Sequence, residues 1–185
     1  LFPYRSLYAI NNDMVGFIDI PGTSVRYPVV QSPYQANYYL RRNFLKVSAT
    51  CGTIYVREAC DVNEPSDNVT IYGHKMTNGS MFADLHKYKN QSFWEDYRYI
   101  YFDTLTQQHA YEIFAVFGTS ADPAEGFHYH TFTNASSAAD FDKMVDKMVE
   151  LRKGKMSAEE CAAALKKGNY FGTMLVKMGY ADALL

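Results

Sequence analysis

The segment Tyr72-Gly73-His74-Lys75-Met76 carries the side chain best suited to chemistry. It ends a run of strand-forming residues, so the sequence predicts that His74 lies where a buried strand meets a loop. A free imidazole titrates near neutrality, and in a cleft with restricted solvent it can exchange protons or pair with a thiolate. The alternative is a loop histidine satisfied by a backbone group, and the local pattern taken alone favours that alternative.

The three cysteines, Cys51, Cys60 and Cys161, are the possible thiol nucleophiles. Cys51 opens a predicted strand, Cys60 lies near the loop that precedes His74, and Cys161 lies among apolar neighbours on an alanine-rich predicted helix. An odd number without a Cys-x-x-Cys spacing favours neither a disulfide scaffold nor a structural zinc site. We therefore predict small buried or half-buried thiols, with a Cys51–Cys60 disulfide as the minor alternative.

The remaining histidines do not predict a metal centre. They are scattered, and none shows the His-x₃-His spacing of a ligand pair. His128 and His130 could share one face of a strand, but no nearby residue suggests the third ligand that a metal would need.

Composition bounds the class of protein. The 185 residues suffice for one domain, and 48% hydrophobic with 21% charged residues allows a packed core. A net charge of −2 without a basic stripe argues against nucleic acid as a partner. No apolar run approaches the roughly 20 residues that cross a bilayer, and no signal peptide stands at Leu1. An ectodomain separated from its anchor and a cytosolic protein both fit these observations.

The elements that must position these side chains are mostly strands. Sixteen tyrosines and twelve phenylalanines favour pleated, half-buried surfaces. Alternation and turn signals predict strands over residues 15–20, 25–31, 52–56, 68–73, 97–103 and 110–117. Pro28 within the second run predicts an edge strand or a bulge.

Helical spacing predicts four helical segments around those strands. The first dozen residues form the end of a helix that stops near Asn11, and a second helix follows Ser80 as its N-cap. A third, residues 141–149, has one apolar stripe after Ser137, and a short fourth follows Ser157 and is stopped by Gly168. The sum is a strand-dominated domain with a few covering helices, most simply a barrel.

Five segments in order along the chain resemble those of class B sortases, the cysteine transpeptidases of Gram-positive cell surfaces. They are residues 12–18 (NDMVGFI), 27–31 (YPVVQ), 38–40 (YYL), 71–74 (IYGH) and 79–85 (GSMFADL). The resemblance implies a mainly β fold: a sortase-like closed β-barrel with an N-terminal helix and a helix in the long loop before the nucleophile strand. It also implies one catalytic domain over residues 1–185.

The resemblance assigns roles to three residues. By the matching motif His74 is the histidine of a Cys-His-Arg site, and Tyr72 and Asn37 contact substrate; a simple turn residue remains an equal alternative for Asn37. A thiolate beside a cationic neighbour attacks a sorting-signal peptide bond, and an acid protonates the leaving amine. No metal or organic cofactor is implied.

The chain departs from the family pattern at the nucleophile. No Thr-Leu-Ser-Thr-Cys segment occurs, and residues 181–185 resemble the stretch that precedes it in the family. We therefore expect the catalytic cysteine and arginine to lie beyond Leu185. Arg57 does not match the position of the family's arginine and is interpreted as a solvated charge. The segment around Glu58 also lacks the acidic and aromatic pattern of relatives.

Three hypotheses follow. The first is a transpeptidase at the extracellular face of a Gram-positive cytoplasmic membrane, held by an N-terminal anchor absent from this chain. Its partners would be Asn-Pro-x-Thr-like sorting peptides and an amine of a peptidoglycan precursor or a pilin. The second is a sortase-like barrel that binds peptides or assists pilus assembly without catalysis. The third is a hydrolytic cysteine peptidase that uses another cysteine.

Overall fold

The computed structural model describes residues 3–32, 34–66, 68–118, 138–166, 173–176 and 182–184. Within them the chain forms strands β1 (Met14–Asp19), β2 (Arg26–Val30), β3 (Tyr55–Val56), β4 (Ile71–His74), β5 (Tyr99–Thr104), β6 (Gln108–Glu112), β7 (Ala115–Phe117), β8 (Thr173–Val176) and β9 (Asp182–Leu184). The mainly β class predicted from the sequence is confirmed.

All these strands belong to one sheet in the order β6-β5-β1-β2-β3-β4-β9-β8-β7. The pairs are antiparallel except for β2 with β3 and β7 with β8. Pairing among the described strands stops at β6 and β7, so the closed barrel expected from the sequence is not confirmed. These two edge strands follow each other in the chain, separated only by Ile113 and Phe114.

Helices cover the sheet. They are α1 (Arg5–Ile10), α2 (Gln91–Asp96), α3 (Ala138–Arg152) and α4 (Ala158–Lys166), with 3₁₀ segments at Tyr38–Arg41 and Ala83–Lys89. The helix that ends near Asn11 is confirmed, as is the capping box of α4, in which Ser157 and Glu160 exchange backbone-to-side-chain hydrogen bonds of 2.7 and 3.2 Å. Ser137 and Gly168 lie outside the described residues. No described helix has both the length and the apolar character that a membrane span requires.

Three element predictions need correction. The predicted strand 110–117 is two strands that lie at opposite edges of the sheet, because the chain turns away after Glu112. The helix predicted after Ser80 is a 3₁₀ segment, and helix α2 that follows it is capped by Asn90, whose side chain accepts from the backbone N–H of Ser92. Strand β2 lies inside the sheet, so the edge-strand alternative for Pro28 is wrong, while the register of β1 with β2 does shift between Met14 and Gly16. Strand β2 pairs with β3 only at Val30, so Pro28 has no ladder bond to lose on that side.

The core is divided among three apolar clusters. The main one fills one face of the sheet and includes Ile18, Val29, Ile71, Phe82 and Phe102. A second cluster is formed by Val30, Tyr39 and Tyr55, with Tyr72 packed against it. A third cluster joins α3 to α4 around Val145, Met148 and Cys161. Phe114, which lies between β6 and β7, packs against it. The separate third cluster means that the helix pair has its own small core.

Candidate active site

The candidate site begins with the alternation of side chains along β4. Ile71 belongs to the main core, and Gly73 lies against Ile54 and Phe82 of the same core. Because successive strand residues face opposite sides, Tyr72 and His74 project together from the other face. His74 is 4% exposed, and its carbonyl accepts a 2.9 Å hydrogen bond from the backbone N–H of Phe82. The predicted place of His74, where a buried strand ends, is confirmed.

Gly73 is required by packing and not by a turn. A Cβ at this position would lie 2.5 Å from Cδ1 of Ile54 and 2.6 Å from Cδ2 of Phe82. Both neighbours are at most 1% exposed and have little room to move. The glycine therefore lets β4 lie close to the core. The position of β4 in turn sets where the side chains of Tyr72 and His74 lie on the opposite face.

The loop that follows His74 is tied to the β1–β2 hairpin. The Tyr27 hydroxyl accepts from the backbone N–H of Met81 at 3.1 Å, and the Ser24 hydroxyl donates to the Gly79 carbonyl at 3.2 Å. Asp84 accepts from the backbone N–H of Ser24 at 2.8 Å and pairs with Lys87 at 3.0 Å. These bonds hold the middle and the far end of the loop that follows His74.

Asp84 is electrostatically suited to this anchoring role. Burial alone would raise the pKa of its carboxyl, but the hydrogen bond from Ser24 and the ammonium of Lys87 outweigh burial and lower that pKa. The carboxylate is therefore the stable form through the neutral range, and the anchor stays charged.

Tyr72 and Asn37 belong to one connected aromatic surface. Tyr55 of β3 lies directly across from Tyr72 of β4, with ring centroids 5.1 Å apart. The Tyr55 hydroxyl donates a 2.8 Å hydrogen bond to Oδ1 of Asn37. Asn37 is exposed and has a left-handed backbone with φ of 55°. The structure thus connects both predicted substrate residues through Tyr55, which the sequence analysis did not single out.

Arg57 is half-buried near the same surface and is not simply solvated. Burial raises the pKa of the Tyr72 phenol to about 12, and the Arg57 guanidinium opposes that rise. The backbone N–H of Arg57 donates to the Thr70 carbonyl at 2.9 Å, which continues the pairing past Val56 and places Arg57 on the same side of the sheet as Tyr55 and Tyr72. The two-residue spacing of Tyr55 and Arg57 is the sequence signal that could have placed both side chains on one face of the sheet.

Cys60 and Cys161 do not have the features of an activated thiol. The Cys60 thiol donates to the Asn68 carbonyl at 3.3 Å and accepts from the Thr70 N–H at 3.4 Å, and burial raises its pKa. Burial also raises the pKa of the Cys161 thiol, and Cys51 is half-buried and unbridged. A raised pKa keeps a thiol protonated at neutral pH, which disfavours nucleophilic attack. The structural interpretation of these cysteines is therefore supported.

The strand beside the histidine comes from the C-terminal part of the chain. Strand β9 pairs antiparallel with β4, and the backbone register places Asp182 across from His74 and Leu184 across from Tyr72. Among the described residues no group of three His, Cys, Asp or Glu side chains is arranged to hold a metal; His128 and His130 lie outside them.

This arrangement is a histidine at the end of a buried strand, a tyrosine two residues before it and an anchored loop behind it. The family model described as "Sortase domain" matches residues 18–151, which include the whole of this arrangement. The chain belongs to the sortase family. Its relatives place it in class B, as the resemblance of the sequence motifs predicted.

Two curated sortases are similar in sequence. Sortase B of Listeria monocytogenes is 35% identical over 145 residues, covering 78% of this chain and 56% of its own length. Sortase B of Staphylococcus aureus is 32% identical over 117 residues, covering 63% of this chain and 48% of that protein. The chain spans about half the length of the curated relatives it matches.

Solved sortases share the fold. A Bacillus anthracis protein described as similar to sortase B superposes with a TM-score of 0.75 at 27% identity, covering 98% of this chain and 79% of that chain. Sortase B from Listeria monocytogenes gives a TM-score of 0.73 at 27% identity, with 97% and 96% coverage. The agreement with solved sortase B structures supports the described sheet of this sortase domain.

The C-terminal part of the chain is also similar to an unrelated family. The family model described as "Phosphate acetyl/butaryl transferase" matches residues 122–185. This match overlaps the sortase match at residues 122–151. Phosphate acetyltransferase of Staphylococcus epidermidis is 50% identical over 44 residues, which is 24% of this chain and 13% of that protein. The resemblance of residues 181–185 to the stretch before a sortase nucleophile therefore has a competing explanation.

Proposed function

We propose that this sortase domain serves a cysteine transpeptidase that cleaves an Asn-Pro-x-Thr-like sorting signal. The acyl group passes to a cysteine thiolate, forming a thioester and releasing the amine of the C-terminal fragment. An amine of a peptidoglycan precursor or a pilin then attacks the thioester and restores the thiolate. The observation that carries the proposal is His74, buried at the end of β4 with Tyr72 beside it.

His74 is assigned the proton-handling role. As an imidazolium it would stabilise the thiolate, and it would give its proton to the leaving amine. The anchored loop behind it limits its movement, which preserves its orientation toward the substrate face. A solved structure with the same fold is described as a Staphylococcus aureus sortase B-substrate complex.

We propose that the nucleophile and the oxyanion-stabilising arginine lie outside the 185 residues. Cys60 and Cys161 are buried with raised pKa values, and Cys51 is not in a segment that matches the family's nucleophile. Residues 1–185 would then form a single catalytic domain completed by further strands that close the barrel. Attachment to the outer face of a Gram-positive cytoplasmic membrane by an N-terminal anchor is part of the same proposal.

The similarity of residues 122–185 to phosphate acetyltransferases favours a second candidate. In it the sortase-like part ends near residue 151, where the sortase match stops, and the residues that follow, including α4, have acetyltransferase-like sequence. Such a chain would bind sorting peptides without forming a thioester. The matched segment is 13% of the acetyltransferase, so we do not propose acetyl transfer.

Top-down mass spectrometry of the protein isolated from its native cells separates these candidates. The transpeptidase proposal expects a mass greater than that of the 185 residues, with Thr-Leu-Ser-Thr-Cys directly after Leu185. A protein that ends at Leu185, or that continues with acetyltransferase-like sequence, would overturn the proposed route and favour the binding module.

The native protein should then join an Asn-Pro-Gln-Thr peptide to triglycine or diaminopimelate. His74→Ala should lower this rate about a hundredfold or more, because the leaving amine loses its proton donor. His86→Ala is the matched control, since His86 is exposed and its ring is hydrogen-bonded at 2.7 Å to the Ala83 carbonyl. Cleavage by water despite abundant amine would instead support the hydrolytic peptidase.

A further inference from the structure

We infer that Tyr55 is a positioning residue that orients Asn37 to bind the backbone of an extended peptide. The inference rests on the proposed function and extends it to a residue that neither the motif resemblance nor the family comparisons assign. It starts from the 2.8 Å hydrogen bond between the Tyr55 hydroxyl and Oδ1 of Asn37.

The hydrogen bond decides which end of the Asn37 amide is available. The partner atom is the Asn37 carbonyl oxygen, so the phenol is the donor and the amide NH₂ points elsewhere. Asn37 is exposed, and its NH₂ makes no hydrogen bond within the described part of the chain. Two N–H donors at the edge of an aromatic surface suit a peptide carbonyl.

Tyr55 is itself rigidly held. Its side chain is 4% exposed and belongs to the cluster of Val30 and Tyr39, and its ring packs on that of Tyr72. A rigid phenol fixes a flexible exposed amide at little further cost in conformational entropy. Asn37 also occupies the left-handed backbone region that asparagine tolerates better than most residues.

The connected residues have the dimensions of the proposed ligand. Crossing from β3 to β4 takes about 5 Å, and moving from Tyr72 to His74 takes about 7 Å along the strand. Four extended residues span roughly 13 Å. The two steps are perpendicular, so Tyr55 and His74 are about 9 Å apart, and a tetrapeptide that crosses the Tyr55–Tyr72 pair from the Asn37 side is long enough to approach His74.

Binding of a synthetic Asn-Pro-Gln-Thr peptide, measured by calorimetry on the native protein, tests this role. Tyr55→Phe removes one oxygen atom and keeps the ring, and it should weaken binding about threefold to tenfold. Tyr88→Phe is the matched control: Tyr88 is 5% exposed and donates a 2.8 Å hydrogen bond to the Tyr97 carbonyl in the main core. It should lower the melting temperature and leave peptide affinity unchanged.

A double-mutant cycle separates positioning from general packing. If Tyr55 acts through Asn37, then Tyr55→Phe has no further effect on affinity in the Asn37→Ala background. In the unmutated chain, the ¹⁵N-resolved side-chain NH₂ signals of Asn37 should also shift on adding peptide.

The outcomes are distinguishable. An unmutated chain that does not bind the peptide overturns the proposed function itself. Binding by the unmutated chain with equal affinity for Tyr55→Phe overturns only the role of Tyr55, as does an equal loss with and without Asn37. Selective loss that vanishes without Asn37 supports it.

Discussion

Tyr72 and His74 leave β4 on the same face, and the residue between them, Gly73, is pressed against the core on the other. The Gly73 position leaves no space for a methyl group beside Ile54 and Phe82. The reactive face of the strand is therefore set by contacts on its opposite side. This relationship explains why a tyrosine-glycine-histidine segment is useful here as a unit.

Replacing Gly73 by alanine should lower the free energy of unfolding by about 1–3 kcal/mol, because the added methyl group overpacks the core. Urea denaturation monitored by circular dichroism measures the change. In a Phe82→Leu background the same substitution should cost less, since the side chain in its way is smaller. Strictly additive losses would show that Phe82 is not the obstacle.

Alkaline pH should destabilise the domain through Tyr72. The folded state raises the pKa of its phenol from 10.0 to about 12, so the unfolded chain loses this proton first. The neutral phenol therefore makes its full contribution to the free energy of unfolding below pH 10.0, and this contribution is lost as pH rises toward 12. Chemical denaturation at increasing pH should show a falling free energy of unfolding.

Tyr72→Phe should make that fall shallower, because one late-ionising phenol is removed. Tyr99→Phe, at a side chain that is 42% exposed, is the control and should leave the slope unchanged. An identical slope in all three proteins would contradict the raised pKa of Tyr72.

Asp84→Asn should loosen the loop behind His74. The variant keeps the side-chain shape but loses the charge that binds Ser24 and Lys87, and we expect a loss of about 1–2 kcal/mol in unfolding free energy. Because the folded state lowers the pKa of Asp84, its contribution is present above the ordinary aspartate range near pH 4 and is lost as pH falls.

Denaturation at neutral and acidic pH checks this prediction. The difference between the unmutated chain and Asp84→Asn should shrink on acidification. Asp96→Asn, on an exposed turn of α2, should be neutral throughout. A difference that does not depend on pH would assign the effect to packing and not to the carboxylate.

The local sequence pattern correctly predicted the helices and strands that are determined by residues close together in the chain. Strands β1 and β2, helix α1 and the capping box of α4 lie close to their predicted positions because alternation, turn residues and caps act over a few residues. The predicted run 110–117 failed because its two halves pair with β5 and β8, which are far apart in the sheet. Strand pairing is a long-range property that no local pattern contains.

The sequence by itself determined the family, the mainly β class and the candidacy of His74, because ordered motifs preserve the residue types that the chemistry needs. Only the tertiary structure decided which side chains join it. Tyr55 contacts Tyr72 because the register of β3 with β4 places them opposite each other. Asn37 joins them because its loop brings it within hydrogen-bonding distance of the Tyr55 hydroxyl. Register and loop return are set by the packing of the whole core, where many weak contacts act together, so they cannot be read from any single segment.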